Sequence, residues 1–184
     1  MSLKRIVISG SPGAGKTSII RVLPKKGYPV FEEFSRSLIV HGKEKGIENA
    51  FFSDPQLFSE ELFAGREAQY YTQLPSHNKM HLPVVFYDRG VHDIFAYLMA
   101  IGHETKEWKP RIQNLNYDLV FLVEPWEAIY KQDEQRLETF EQAQFYYPFI
   151  ESVYKERHKV IVVPKDNIAN RVAFIESFLQ QHEF

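Results

Sequence analysis

A three-layer α/β sandwich, one parallel sheet covered by helices on both faces, is the fold that this 184-residue sequence predicts. Three observations predict it. Short apolar runs alternate with stretches of helical periodicity along the chain, and each run is apolar almost throughout instead of at every second residue. The first run leads directly into a glycine-rich turn that opens a helix. Together they give five parallel strands, at residues 5–9, 28–32, 84–88, 119–123 and 159–163, with helices at 16–23, 55–74, 92–101, 126–145 and 167–180.

The first strand, Arg5-Ile6-Val7-Ile8-Ser9, is followed by Gly10-Ser11-Pro12-Gly13-Ala14-Gly15-Lys16-Thr17. This satisfies every position of the phosphate-binding pattern GxxxxGK[ST] in the strand, loop, helix context that the pattern requires. Glycines at 10, 13 and 15 allow backbone conformations closed to residues with a Cβ, so that successive N–H groups turn toward a triphosphate. The helix beginning near Lys16 adds unpaired amides and a favourable dipole. Lys16 is placed for the β and γ phosphates, and the Thr17 hydroxyl for Mg²⁺. Gly10, Ser11, Gly13, Ala14, Gly15, Lys16, Thr17 and Ser18 are therefore the expected nucleoside triphosphate ligands, in a P-loop NTPase fold.

The second strand ends in Phe31-Glu32-Glu33-Phe34-Ser35-Arg36. Carboxyl ends of parallel strands line the ligand crevice, so Glu33 is a candidate to accept a proton from an acceptor hydroxyl. Glu32 and Glu33 also suit capping of a helix starting at Ser35. Arg36 is a candidate for an anionic substrate or a partner for Glu32 or Glu33. The helix at 55–74 carries Phe58, Glu61, Leu62, Gly65, Arg66, Gln69 and Tyr70 on one broad stripe. Phe58, Leu62 and Phe63 read as core, while Arg66 and Gln69 are candidate substrate contacts.

The third strand, Val84-Val85-Phe86-Tyr87-Asp88, ends in an aspartate as a Walker B strand does, which makes Asp88 the second candidate Mg²⁺ ligand. Arg89 stands where many motor ATPases carry a water-polarising glutamate, and a cation there suits phosphoryl transfer. His92-Asp93 lacks the further spaced histidines of metal phosphohydrolases, and Asp93 reads as a helix cap. In the charged segment after the fourth strand, Asp133 and Arg136 share one helix face. A lid around 126–147 would bring Arg136, or in its place Lys131, onto the transferring group. Val163-Pro164-Lys165-Asp166-Asn167, after the fifth strand, is positioned to contact the base of the donor.

A hydrophobic fraction of 44% over 184 residues supports one domain, 1–184, with a sizeable core. The net charge of −2 gives no general drive toward nucleic acid, and no apolar run reaches a membrane span. The absence of cysteine excludes disulfides and thiolate metal sites. Cytoplasmic localisation is the expectation.

The phosphate loop, VFEEFSR, VFYDRGVHDIFAYL, YDLVFLVEPWEAIYKQDEQR and VPKDNIANRVAFI together resemble the small AAA-labelled predicted ATPases related to the kinase domain of NadR-type ribosylnicotinamide kinases. More distantly they resemble deoxynucleoside kinases. The resemblance implies a nucleoside or nucleotide kinase-like fold and ATP as donor. It also implies Glu33 as catalytic base, Asp88 and Arg89 as metal and phosphate pair, and Arg136 as lid arginine. Two functions follow as expectations. One is a kinase moving the γ phosphate of ATP to a hydroxyl of a small, nucleoside-like molecule. The other is an ATP-hydrolysing or nucleotide-dependent switch without such an acceptor.

Overall fold

The structure, a computed structural model, describes residues 3–44, 46, 50–74, 83–130 and 138–182. Five strands, β1 (Lys4–Gly10), β2 (Val30–Phe31), β3 (Val84–Asp88), β4 (Leu119–Val123) and β5 (Val160–Val163), form one sheet in the order β2-β3-β1-β4-β5. Every pairing is parallel. From β1 the chain crosses to the edge strand β2, returns through β3 beside β1, and then builds outward on the other side through β4 and β5. The carboxyl end of β1 is thus the point where strand order reverses and a ligand crevice opens. Register places Ile8 beside Asp88 and Gly10 beside Val123, so the phosphate loop leaves the sheet level with the end of β3.

Eight helices cover the sheet among the described residues: α1 (Lys16–Ile20), α2 (Ser35–Glu44), α3 (Ala50–Ser53), α4 (Pro55–Tyr71), α5 (His92–Ala100), α6 (Trp108–Gln113), α7 (Phe140–Lys155) and α8 (Ile168–Gln181). Successive strand residues point to opposite faces. Val7, Val85, Tyr87, Val120 and Leu122 pack with α4, α5, α6 and α7, whereas Ile6, Ile8, Phe86, Phe121 and Val123 pack with α1 and α8. Two cores share one sheet. This is why β1, β3 and β4 read as unbroken apolar runs, while the edge strand β5 leaves Val162 exposed.

The predicted elements are present; the second strand is shorter, Val30–Phe31 against 28–32, the short helix α3 is additional, and three further differences stand out. The helix expected from residue 126 is a short 3-10 turn, Glu127–Ile129, and α7 starts only at Phe140. Trp126 is extended, with φ −137° and ψ 104°, and the Thr139 and Gln142 side chains each bond the other's backbone N–H in a capping box that fixes the later start. The helix that follows the phosphate loop ends as α1 at Ile20 and continues, after a break, as a 3-10 turn over Leu23–Lys26, with Pro24 at its start. The third is α6, whose apolar residues are few; it is held by buried Trp108, which meets the Phe63 ring edge-on and donates from Nε1 to Gln56. No described helix is long and apolar enough to cross a membrane.

At the start of α5, buried His92 lies 4.4 Å, ring to ring, from His158, which follows α7, and neither His92 nitrogen has a protein partner. Burial, reinforced by His158, lowers the His92 pKa to about 3, and burial lowers His158 as well. The unfolded chain therefore takes up these protons first. Stability is complete above the unfolded histidine pKa of about 6.5 and falls as pH drops toward 3. Between pH 7.5 and 5.5, His92→Phe should reduce the loss of unfolding free energy by about 1 kcal/mol, measured by urea titration at both pH values. An unchanged difference would contradict the neutral, buried histidine.

Candidate active site

The phosphate loop is drawn tightly against β4. Gly10 has φ +135°, and a Cβ there would stand 2.1 Å from the Val123 carbonyl oxygen. The Ser11 hydroxyl donates to the Ala143 carbonyl of α7 at 2.6 Å, which ties the back of the loop to a neighbouring helix. The Lys16 ammonium, nearly buried, donates to the carbonyls of Gly10 at 2.9 Å and Ser11 at 2.6 Å. Burial and the nearby Arg89 bring its pKa down to about 7 against the pull of Asp88 and Glu33. Pro12, Gly13, Gly15, Lys16, Thr17 and Ser18 line a cavity of about 780 Å³; Gly10, Ser11 and Ala14 form its support instead of its wall.

A chain of buried charges runs from the far wall of this cavity to the sheet. Arg66 Nη2 meets Glu33 Oε1 at 2.6 Å, Glu33 Oε2 meets Arg89 Nε at 2.7 Å, and Arg89 Nη1 meets Asp93 Oδ1 at 2.7 Å. Each link comes from a different element or its end. Arg66 projects from α4 and also donates to the Gly90 carbonyl at 2.9 Å. Glu33 follows β2, Arg89 follows β3, and Asp93 lies in the first turn of α5. The Phe34 ring packs directly against Gly65, where a Cβ would come within 2.1 Å of it, and this close approach lets the next residue on α4 reach the residue before Phe34.

Asp93 anchors the chain. It accepts from the hydroxyls of Ser9 and Tyr154, from Arg89, and from the Gly90 N–H. The last bond is not the helix cap expected from the sequence: Val91 is the N-cap of α5, without a side-chain cap bond, and Asp93 lies in the first turn, facing the Gly90 N–H that precedes the helix. The other three make Asp93 a hub that sequence reasoning missed; its only sequence signal is a carboxylate four residues after Arg89, one helical turn away. Burial opposes ionisation of Glu33 and Asp93, but the arginines outweigh it and hold both below the usual carboxylate range. Arg89 has φ +68°, the only non-glycine residue with positive φ among the described ones. Such a conformation costs about 1–3 kcal/mol and persists here under two ion pairs and an N–H bond to the Ile8 carbonyl.

Asp88 differs from its neighbours. Its Oδ1 is buried without a partner, and burial, with Glu33 nearby, raises its pKa to about 6. Thr17, on the same cavity, accepts from Arg36 Nη2 at 2.9 Å. An orphaned carboxylate oxygen and a hydroxyl suit Mg²⁺, which takes one or two protein oxygens and completes its shell with phosphate and water. Among the described residues no group of three or more His, Cys, Asp or Glu side chains forms a metal site, as such a phosphate-shared ion would not require.

Of the candidate substrate residues, Arg66 and Arg36 line the cavity. Arg36 bonds Thr17 instead of Glu32 or Glu33. Gln69 does not line the cavity: its amide donates to the Glu32 carbonyl at 3.0 Å, because one turn beyond Arg66 the helix passes the edge strand. Glu33 also accepts weakly from the Ser35 N–H at 3.4 Å, a remnant of the expected cap. Arg136 and Lys131 lie outside the described residues, as does the middle of the expected lid at 126–147. Its flanks, Trp126, Ala128, Ile129 and Glu138, line the cavity, and the Tyr130 ring lies over Gly13. Away from the loop the cavity continues between Phe51, Phe58, Leu62, Tyr97 and Tyr146.

Residues 5–171 match a family described as an AAA domain. The chain belongs to that AAA domain family. Its fold is that of small nucleoside and nucleotide kinases. A deoxyadenosine kinase from M. mycoides, determined with dCMP and dCDP bound, aligns over 96% of this chain and 98% of its own, with TM-score 0.66 and 17% identity. The same kinase with dATP gives TM-score 0.65 at 17% identity, covering 96% of this chain and 99% of the kinase. A thymidylate kinase from Ehrlichia chaffeensis aligns over 98% of this chain and 100% of its own, with TM-score 0.63 and 16% identity. No curated protein sequence gives a significant match. The AAA domain family and the kinases thus share one sandwich, and at these identities the kinase likeness concerns the fold.

Removing Asp93 leaves Arg89 buried with one ion pair and takes the acceptor from the Tyr154 and Ser9 hydroxyls. Asp93→Ala should cost about 3–5 kcal/mol in urea unfolding at pH 7.5, and Tyr154→Phe, which deletes the charged hydrogen bond to Asp93 and the one accepted from the Gly90 N–H, about 1.5–3 kcal/mol. Equal, small losses would contradict the hub.

Proposed function

We propose that this chain is an ATP-dependent phosphotransferase that acts on a hydroxyl group of a small, nucleoside-like molecule. The observation that carries the reading is the position of the Glu33–Arg89 pair, 2.7 Å apart, on the wall of a cavity that begins at the phosphate loop and extends between aromatic side chains. Hydrolysis needs room for one water. A cavity of about 780 Å³ has room for a ring-bearing acceptor beside a donor phosphate.

In this reading Lys16 leaves the loop carbonyls for the β and γ phosphates, and Thr17 with Asp88 holds Mg²⁺. When bound, the ion neutralises charge on the phosphate oxygens. The acceptor oxygen forms a bond to the γ phosphorus as the bond to the ADP oxygen breaks, and the hydroxyl proton passes to Glu33 or to solvent. Two arginines hold Glu33 ionised and weakly basic. Phosphoryl transfer through a loose transition state asks little of a base, so Glu33 serves chiefly to orient the hydroxyl. Arg89 is already committed to Glu33 and Asp93, which fixes its guanidinium in place before charge develops on the transferring group. The aromatic walls would face a ring of the acceptor.

Incubation with Mg·ATP and a panel of nucleosides, nicotinamide riboside and small phosphorylated metabolites tests the reading. Acceptor-dependent ADP release, abolished by Lys16→Ala, is expected. Glu33→Gln, which removes the carboxylate that orients the hydroxyl, should lower kcat by about 100-fold with donor Kd little changed. Thermal unfolding would separate this effect from loss of fold. ADP release that depends on Lys16 but on no acceptor would instead identify a hydrolase or nucleotide switch.

Donor binding should also take up a proton. A polyphosphate next to Lys16 raises its pKa from about 7, so at pH 8 the largely neutral amine becomes charged on binding, whereas Asp88 is already ionised. Calorimetry in buffers of different ionisation heat should report net uptake at pH 8, with affinity falling as pH rises from 7 to 9. Zero uptake would contradict it.

A further inference from the structure

Arg171 belongs to the first turn of α8, and only 2% of it is exposed. Its Nη2 donates to the Ala14 carbonyl of the phosphate loop at 3.2 Å, and its Nε has no partner. Its Nη1 lies 2.7 Å from the point a Cβ on Gly15 would occupy, so the glycine at this position also makes room for the guanidinium. Arg66 and Arg89, buried to a similar degree, each face Glu33 or Asp93. Arg171 has no ion pair among the described residues, and burial alone acts on it, lowering its pKa. Of the two acids nearest along the chain, each five residues away, Asp166 spends its carboxylate on the Asn167 N–H and the Asn170 amide, and Glu176 pairs with Lys26.

A guanidinium stays charged at any pH a protein meets, and a buried charge without a partner is strongly unfavourable. Such a group persists where an anion completes it in the working state. Arg171 lines the same cavity as Thr17 and Ser18, and it touches the loop whose glycine pattern fits a polyanion. We propose that Arg171 binds the phosphate chain of the donor nucleotide from the α8 side of the phosphate loop, as a second cation beside Lys16. This rests on the reading of the loop as a nucleotide site. Anchored by the Ala14 carbonyl, the guanidinium keeps its fork-shaped donors oriented, and the unpartnered Nε–H and the remaining Nη protons are available to phosphate oxygens. The sequence alone points only to the base of the donor near this end of the chain, through the loop at 163–167.

The test is the Kd of Mg·ATP and of Mg·tripolyphosphate, which has no base, for the wild-type chain, Arg171→Met, Arg171→Lys and Lys16→Ala at two salt concentrations. Arg171→Met should weaken both ligands by about 10- to 100-fold, as expected for a lost charged hydrogen bond, and should flatten the salt dependence. Arg171→Lys should recover part of the affinity. Weaker ATP binding with tripolyphosphate unchanged would mean that the guanidinium stacks on the base, and would overturn the proposal. Unchanged binding of both, with Lys16→Ala still impaired, would make Arg171 a clamp on Ala14 only and would also overturn it. If Lys16→Ala binds ATP as the wild type does, the nucleotide-site reading itself fails and the Arg171 role with it. Should Arg171→Met not fold, Arg171→Lys carries the test: a several-fold loss for both ligands at an unchanged unfolding midpoint supports the role, and unchanged affinity removes it.

Discussion

The alternating ion chain Arg66–Glu33–Arg89–Asp93 is the constraint on which the rest of the site depends. Its members come from α4, the end of β2, the end of β3 and the start of α5, so no two of the four elements can shift independently without uncovering a buried charge. Such an arrangement is a poor source of net stability, since desolvating four ions consumes most of what their attraction returns. It is effective at fixing geometry. Two positive and two negative groups balance internally, and the chain ends in Asp93, whose remaining lone pairs are filled by Ser9 of β1 and Tyr154 of α7. The wall of the cavity is in this way bolted to both the sheet and the helical layer that covers it.

The left-handed backbone of Arg89 follows from that arrangement. After Asp88 the chain must leave the sheet, keep the Arg89 N–H on the Ile8 carbonyl, and aim a long side chain at Glu33 and Asp93 at once. The strain is local and is offset by two ion pairs. Asp88, one residue earlier, receives none of this compensation, and burial leaves its carboxyl with a raised pKa. Adjacent residues at the end of one strand thus acquire opposite characters: Arg89 is paired twice within the protein, whereas Asp88 Oδ1 is buried without a protein partner. The phosphate loop behaves differently again. Lys16 and Thr17 are satisfied within the protein by the Gly10 and Ser11 carbonyls and by Arg36. A ligand would exchange these bonds for its own instead of meeting bare charge.

Much of this was legible in the sequence. The loop from Gly10 to Thr17 declares itself because its chemistry is local: glycine conformations, a lysine and a hydroxyl at fixed spacing, and a strand before and a helix after. Five strands and their parallel arrangement followed from apolar runs buried on two faces. Glu33, Asp88 and Arg89 were singled out because strand ends in such sheets face the crevice. The helix at 126 was misplaced because charged residues there have helical propensity, whereas the start of α7 is fixed by the capping box at Thr139 and Gln142. Gln69 was assigned to a ligand stripe on periodicity alone, and periodicity does not say which neighbour, β2 or the cavity, a helix face meets one turn later.

Sequence by itself therefore determined the sheet class, the phosphate loop and the strand-end acids, because backbone conformation, short-range spacing and burial periodicity act within about ten residues. Tertiary structure alone decided which charges pair. Arg66 and Glu33 are 33 positions apart, Tyr154 and Asp93 are 61, and Arg171 and Ala14 are 157. Those contacts exist because α4, α7 and α8 pack across the two faces of the sheet and bring distant side chains to the end of β1. Coulomb attraction and desolvation depend on distance and burial in space, quantities that no pattern along the chain encodes.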